Sequence, residues 1–269
     1  MNDLQDIIDF KLHPIDDWNY YVKRCRSELQ KNSILILNNF LAEEPLVNLQ
    51  REAQALHDKA FYCSQNHNVL LTKKNTQLGD KHPCNIEVVS DKGCVPHDLI
   101  PENSSLRTIY NSALFKNFIQ SLLRTIYNSA FFKNFIQSLL SVEKIYPYAD
   151  TLSSINYNYY EKHQQLGWHF DNASFAITLM IQSSASGGNF QYVVDARNVE
   201  KNTLNARLID SVLQNKHPAK ELRIEEGALV LFYGSNYLHR VTPVTSNKHR
   251  VLVTLNYNLQ KNIELSENA

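Results

Sequence analysis

Apolar side chains recur at helical spacing in the first half of the chain and at strand-like spacing in the second, with the change near residue 150. Trp18, Val22, Cys25 and Leu29 follow one another at intervals of four, three and four, the buried stripe of an amphipathic helix over residues 16–31. Residues 33–40, rich in Ile and Leu between polar ends, predict a short strand, and residues 43–58 predict a second helix. The mixed polar stretch 62–104, with its prolines and two glycines, predicts loops and short strands.

Residues 107–140 hold a tandem repeat. RTIYNSALFKNFIQSLL from Arg107 is followed by RTIYNSAFFKNFIQSLL from Arg124, and sixteen of seventeen positions match, Leu114 against Phe131 being the exception. At about 100° per residue, seventeen residues return the second copy about 100° away from the face of the first. A straight helix would bury two different stripes, so a break between the copies is expected. Solenoids need three or more repeats; the pair reads instead as a local duplication of one helix that catalysis does not require.

Beyond residue 150 the pattern becomes β-rich. Residues 152–160, 174–182, 189–194, 228–233, 238–244 and 251–258 predict strands, residues 199–216 predict a helix, and five of the seven glycines mark turns here: Gly167, Gly187, Gly188, Gly227 and Gly234. Short strands at turn-marked intervals predict a sandwich or barrel. The expected organisation is one α+β domain over 1–269, mainly helical to residue 150, with a β core over 151–260.

Charge narrows the partners. The 269 residues carry 27 basic and 27 acidic side chains without a basic run, which argues against a nucleic-acid partner and an anionic membrane surface. No apolar run spans a bilayer, and Met1-Asn2-Asp3 opens no signal peptide, so a soluble, cytoplasmic protein acting on a small molecule is expected. GxGxxG and GxxxxGK[ST] are missing, which removes the usual phosphate-cradling signatures. The four cysteines, Cys25, Cys63, Cys84 and Cys94, are too few for a disulfide scaffold, and reduced thiols are expected.

The chemistry concentrates in the β-rich half. In Trp168-His169-Phe170-Asp171 the imidazole and the carboxylate are two residues apart, so on a strand both face one way. His239 follows 68 residues after Asp171, and Arg250 eleven residues later. Two imidazoles and one carboxylate on one face of a metal leave three positions open, the arrangement of non-haem Fe(II) oxygenases. Zinc would tolerate the same ligands, but a fixed guanidinium gives the open positions a purpose, since it can clamp a remote carboxylate bidentately.

HxD, a distal His and an Arg about ten residues further on, set between strands, resemble the Fe(II)- and 2-oxoglutarate-dependent dioxygenase superfamily. QQLGWHFDNASFAITLMIQ, GGNFQYV and YLHRVTPV are similar to the subgroup of free-amino-acid hydroxylases and radical halogenases. The resemblance implies a double-stranded β-helix with flanking N-terminal helices, iron on His169, Asp171 and His239, and the distal carboxylate of 2-oxoglutarate on Arg250, with dioxygen as second cosubstrate. Where many members have glycine shortly before the arginine, this chain has Asn247-Lys248-His249. Halogenases of the subgroup replace the metal carboxylate by a small residue so that halide can bind; Asp171 keeps it, which implies hydroxylation of a free amino acid or a derivative. An oxidative cyclase or desaturase and a non-catalytic cupin-like metal binder are the alternatives, with a protein hydroxylase behind them.

Supporting roles are expected for a few neighbours. Asn156, Asn158 and Tyr160 share a strand face, and Asn156 is favoured as a 2-oxoglutarate contact; Trp168 and Asn172 are candidates to meet substrate. Arg240 should face away from His239. His82, Cys84, Cys94 and His97 could close a tetrahedral zinc site, although separately packed thiols are favoured. The remaining histidines, His57, His67 and His249 among them, default to surface or loop positions.

Overall fold

A computed structural model describes residues 3–127, 145–147, 149, 152–172, 175–199, 201–258 and 261–262. Short helix α1 (Leu4–Ile7) precedes α2 (Tyr21–Asn32), β1 (Ile34–Leu37) and α3 (Glu43–Leu56). Strands β2 (Phe61–His67) and β3 (Val88–Val95) lead to α4 (Ser105–Asn111) and α5 (Ala113–Tyr127). The second half runs β4 (Tyr146–Pro147), β5 (Ile155–Tyr160), β6 (Leu166–His169), β7 (Ala176–Gln182), β8 (Phe190–Val193), β9 (Arg197–Asn198) and β10 (Thr203–Leu204). After helix α6 (Ala206–Leu213) come β11 (Lys220–Leu222), β12 (Leu229–Phe232), β13 (Leu238–Val241), β14 (Arg250–Leu255) and β15 (Tyr257–Asn258).

Two antiparallel sheets face each other. The larger has the order β1-β12-β7-β14-β5-β3-β2 and the smaller β11-β8-β13-β6; the non-sequential neighbours make this the expected double-stranded β-helix within an α+β fold. Three strands of the first half join the larger sheet: β1, inside the strand expected over 33–40, at one edge, and β3 with β2, in the stretch expected to hold loops and short strands, at the other.

The helices cover the outer face of the larger sheet. Val22, Cys25 and Leu29 of α2, Leu49 and Ala53 of α3 and Phe115, Phe118 and Ile119 of α5 pack with Tyr157, Tyr159, Leu179, Leu231 and Val253 in one buried cluster. Trp18 departs from its predicted stripe and is exposed. Asp17 is the reason: its carboxylate accepts the N–H groups of Asn19, Tyr20 and Tyr21, so the helix starts only at Tyr21. A second cluster, Trp168, Phe170, Val193, Leu238, Ile209 and Val212, seats α6 on the outer face of the smaller sheet.

The break expected between the repeat copies lies elsewhere. Ser112, inside the first copy, ends α4 with an extended backbone and accepts the N–H of Phe115 on its hydroxyl, a cap for the next helix. Helix α5 then crosses the Leu123–Arg124 junction without interruption, since Leu122-Leu123-Arg124 offers no glycine, proline or cap. Residues 128–140 of the second copy lie outside the described residues.

Tyr157 and Tyr159 tie the sheet to α3. The Tyr157 hydroxyl donates to Glu52 Oε1 at 2.8 Å, and the Tyr159 hydroxyl to the Ala53 carbonyl at 2.7 Å. The same Glu52 oxygen accepts the Ser104 hydroxyl at 2.8 Å. Burial raises the Glu52 carboxyl above its ordinary value, outweighing the lowering by Ser104 and Tyr157. A carboxyl raised by folding favours the fold most when protonated, so its contribution declines as pH rises from about 4.5 through the raised folded value. An amide oxygen can accept both hydroxyls without the charge. Glu52→Gln is therefore expected to melt above the wild type at pH 7, with the difference closing toward about pH 4; thermal scans at both pH values check this, and a lower melting temperature at pH 7 contradicts it.

Candidate active site

The register of β13 on β6 places His239 directly opposite His169, although the two are seventy positions apart. Both rings point between the sheets with their centroids 4.2 Å apart, and both residues are buried. Asp171 lies two residues past His169, so alternation turns Phe170 outward into the α6 cluster and brings the carboxylate back inward. Backbone bonds fix this path: the Phe170 N–H donates to the Val69 carbonyl at 2.8 Å and the Asp171 N–H to the Gly234 carbonyl at 3.0 Å.

Asp171 Oδ1 is 3.4 Å from His169 Nε2 and 3.5 Å from His239 Nε2. Ligand atoms so spaced can share an ion about 2.0–2.2 Å from each. The opposite ring nitrogens set the tautomers: His169 Nδ1 meets the Gly167 carbonyl at 2.7 Å and His239 Nδ1 the Tyr237 carbonyl at 2.9 Å. A carbonyl only accepts, so each Nδ1 carries the proton and each Nε2 presents its lone pair toward Asp171. Burial, reinforced by the neighbouring His239, lowers the His169 pKa and keeps the ring neutral. Two imidazoles and one carboxylate suit a divalent first-row metal.

Gly234 is required by this geometry. A Cβ built there would stand 1.6 Å from Asp171 Oδ2, so any side chain at 234 would displace the carboxylate. Sequence reading marks Gly234 as a turn; only the fold shows that a carboxylate occupies the space of its missing side chain.

Arg250 opens β14 and is 2% exposed, and among the described residues its Nε and Nη1 have no hydrogen-bond partner. Its guanidinium stacks over Tyr160, its partner in β5, at 5.2 Å, and Gly188 leaves space beside its Cδ. Burial pushes its pKa down. A cation–π contact contributes about 0.5–2 kcal/mol, whereas an uncompensated buried charge costs several kcal/mol. An anion would complete the balance. Arg250 lines a cavity of about 580 Å³ with Ser183, Ser184 and Asn189, and Phe190, which also lines it, lies 5.6 Å ring to ring from His239.

The other expected residues divide. Trp168 alternates away from His169 into the outer cluster, where the Arg240 guanidinium lies 4.7 Å above its ring, so it packs rather than lining the interior. Arg240 faces outward as expected and donates to Gln191 at 2.9 Å. Asn172 is exposed beyond Asp171. Asn156 pairs with Thr254, four positions from Arg250 along β14, or about 13 Å. Its side chain donates to the Leu152 carbonyl, which takes it out of the expected role. The shared face was legible and the position on it was not: Tyr160 stands opposite Arg250, and buried Asn158 comes next, accepting Lys92 Nζ at 2.6 Å. Register against Arg250 is the signal that distinguishes them. His82, Cys84, Cys94 and His97 do not converge into a metal-ligating group among the described residues. Cys25 and Cys84 are buried, Cys63 and Cys94 part-buried, and all four are free thiols.

Residues 91–268 match the family model of Halogenase D. The chain belongs to that family. Among proteins of curated function none matches it. Its fold is shared with solved 2-oxoglutarate-Fe(II) oxygenases. An oxidoreductase of that family from Burkholderia pseudomallei is 12% identical over 90% of this chain and 93% of its own, with a TM-score of 0.52. The carbocyclase SnoK from nogalamycin biosynthesis is 9% identical over 90% and 85%, with a TM-score of 0.53. The epimerase SnoN from the same biosynthesis is 8% identical over 88% and 82%, with a TM-score of 0.52.

This Halogenase D family member thus has the fold of the 2-oxoglutarate-Fe(II) oxygenases. No helix among its described residues is long and apolar enough to cross a membrane. The His-Asp-His cluster and the unpaired Arg250 fit an iron ion and a dicarboxylate on chemical grounds. Gly234→Ala is expected to keep the fold by circular dichroism while weakening Fe(II) binding about 10- to 100-fold, because the added Cβ evicts Asp171. Calorimetric titration measures this; unchanged affinity would show that Asp171 is not a ligand.

Proposed function

We propose that the protein hydroxylates an unactivated C–H bond of a small polar metabolite, a free amino acid or an amino-acid derivative. The observation that carries the reading is the Asp171 carboxylate seated between two imidazoles. With 2-oxoglutarate and dioxygen, iron supplies an oxidant for such bonds and leaves succinate and carbon dioxide. In this reading His169, Asp171 and His239 hold the iron. An iron ion held by all three side chains would keep only the positions its cosubstrates need, so none would be left for halide. This favours hydroxylation over the halogenation for which the family is named.

Arg250 takes the distal carboxylate of 2-oxoglutarate, and Tyr160, under its planar guanidinium, holds that group's orientation. Asn158, beside Tyr160 on the same face, adds a polar contact from the interior. The space between the sheets is amphipathic. Phe190, Tyr192, Phe232 and Tyr237 form an apolar side around His239, and Lys92 with Asn158 a polar one. An amino acid matches both, with its carboxylate toward Lys92 and its aliphatic part along the rings.

Anaerobic Fe(II) with 2-oxoglutarate is expected to give a weak metal-to-ligand charge-transfer band that Asp171→Ala and His239→Ala abolish; a band unchanged by either excludes the assigned ligands. Arg250→Ala should raise the KM for 2-oxoglutarate about 10- to 100-fold, the loss of a charge-assisted bond of about 1.5–3 kcal/mol. Mass spectrometry of an amino-acid mixture incubated with the holoenzyme then reads the outcome. Gain of one oxygen atom supports the proposal, and loss of two hydrogens assigns a desaturase or cyclase instead. A chlorinated product, or succinate release at background across the mixture, overturns it.

A further inference from the structure

Apart from the catalytic centre, one other group of metal-ligating side chains converges among the described residues: His57, Glu161 and His249. Each comes from a different place in the fold. His57 begins the single 3-10 turn that ends α3, Glu161 follows β5, and His249 precedes β14. Because Tyr160 pairs with Arg250, the antiparallel register carries Glu161 and His249 into the next facing position. His57 then closes over them from the helix side.

His57 Nε2 lies 3.0 Å from Glu161 Oε1. The Tyr62 hydroxyl donates to that oxygen at 2.6 Å and stands 2.9 Å from His57 Nε2. The rings of His57 and His249 stack 4.8 Å apart with 24° between their planes, and the three ligand atoms all lie within 4.8 Å of one another. Among the described residues the His249 ring makes no hydrogen bond, which leaves its nitrogens free to coordinate. The exposed Asp58 carboxylate lies 3.6 Å from His57 Nδ1, beyond hydrogen-bond distance. The cluster borders a cavity of about 700 Å³ that gives an ion access from solvent.

We propose that His57, Glu161 and His249 form a second divalent-metal site, of the zinc class, separate from the oxidative centre. Two imidazoles and a carboxylate select a borderline ion over magnesium or calcium, which take oxygen ligands. The fourth position falls to water or to Tyr62. Ligands about 2.0–2.2 Å from one ion stand about 3.4 Å apart, so a pair at the 4.8 Å limit closes by about 1.4 Å, within the swing of the His249 ring. Bound there, the ion ties the end of α3 to the ends of β5 and β14. The residues next to two of its ligands are Tyr160 and Arg250, so it also steadies the stacked pair that receives 2-oxoglutarate. That last coupling rests on the proposed function; the site itself does not.

Zinc titration of the metal-free, full-length protein tests the site, with calorimetry and a competing chromogenic chelator as readouts. Two equivalents are expected for the wild type, one for the Asp171→Ala/His239→Ala double variant, and none when His57→Ala or Glu161→Gln is added to the double variant. Glu161→Gln keeps the Tyr62 acceptor, and circular dichroism verifies each fold. A double variant that binds no zinc, or a remaining equivalent that survives both His57→Ala and Glu161→Gln, overturns the proposal. Failure of the catalytic reading looks different: the wild type and the double variant would each bind one equivalent, lost in both with Glu161→Gln.

Discussion

The pairing of β13 on β6 is the contact on which the site depends. It is a backbone interaction between segments seventy positions apart, and it sets His239 against His169 before any metal is considered. A one-residue slip would turn His239 outward and bring Arg240 in. The outer face guards against that slip, because Arg240 already stacks on Trp168 and bonds Gln191, while Leu238 is buried with Val193. Trp168 thus serves the site from behind. Its packing fixes the strand whose opposite face carries His169.

Arg250 poses the complementary problem of a charge placed where the protein does not neutralise it. Its strand lies in the middle of the larger sheet, between β5 and β7, so it cannot swing away to solvent. Tyr160 beneath it and the missing side chain at Gly188 give room for the guanidinium without satisfying it. The rest of the fold sustains that cost: helices α2 to α5 seal the far side of the sheet, and Tyr157 and Tyr159 anchor β5 to α3 through Glu52 and Ala53. An anion entering the cavity meets donors that are already aimed, with little reorganisation left to do.

The sequence was most informative where chemistry and period coincide. His169 and Asp171, two apart on a strand, and His239 with Arg250 downstream could be read as one constellation, and the alternating strands predicted the sheets that assemble it. The misreadings come from forces that a linear pattern does not carry. Trp18 continues a helical stripe, but the Asp17 carboxylate captures three N–H groups and delays the helix. The repeat implies a break at its seam, whereas helices break at caps, and the cap is Ser112. Asn156 shares a face with Tyr160, yet inter-strand register decides which of them meets Arg250. His57 and His249 lie 192 positions apart with no spacing to link them, and only the closure of α3 over the β5–β14 pair brings their rings together.

Asp171 and Gly234 form a matched pair that bears on the reaction itself. The carboxylate fills the volume a side chain at 234 would occupy, and the Gly234 carbonyl accepts the N–H of Asp171, so residues 63 positions apart specify one seat. A halide ligand needs that seat vacant; a carboxylate needs it bare of Cβ and bounded by a backbone acceptor. This chain meets the second requirement. Substituting Asp171 alone would free the coordination position while leaving a pocket shaped for a carboxylate, with the Gly234 backbone still facing it and the two imidazoles still fixed by their Nδ1 bonds to Gly167 and Tyr237. The proposed chemistry therefore follows from how tightly Asp171 is built into the backbone, and a change of reaction would have to remake the turn at Gly234 together with the carboxylate.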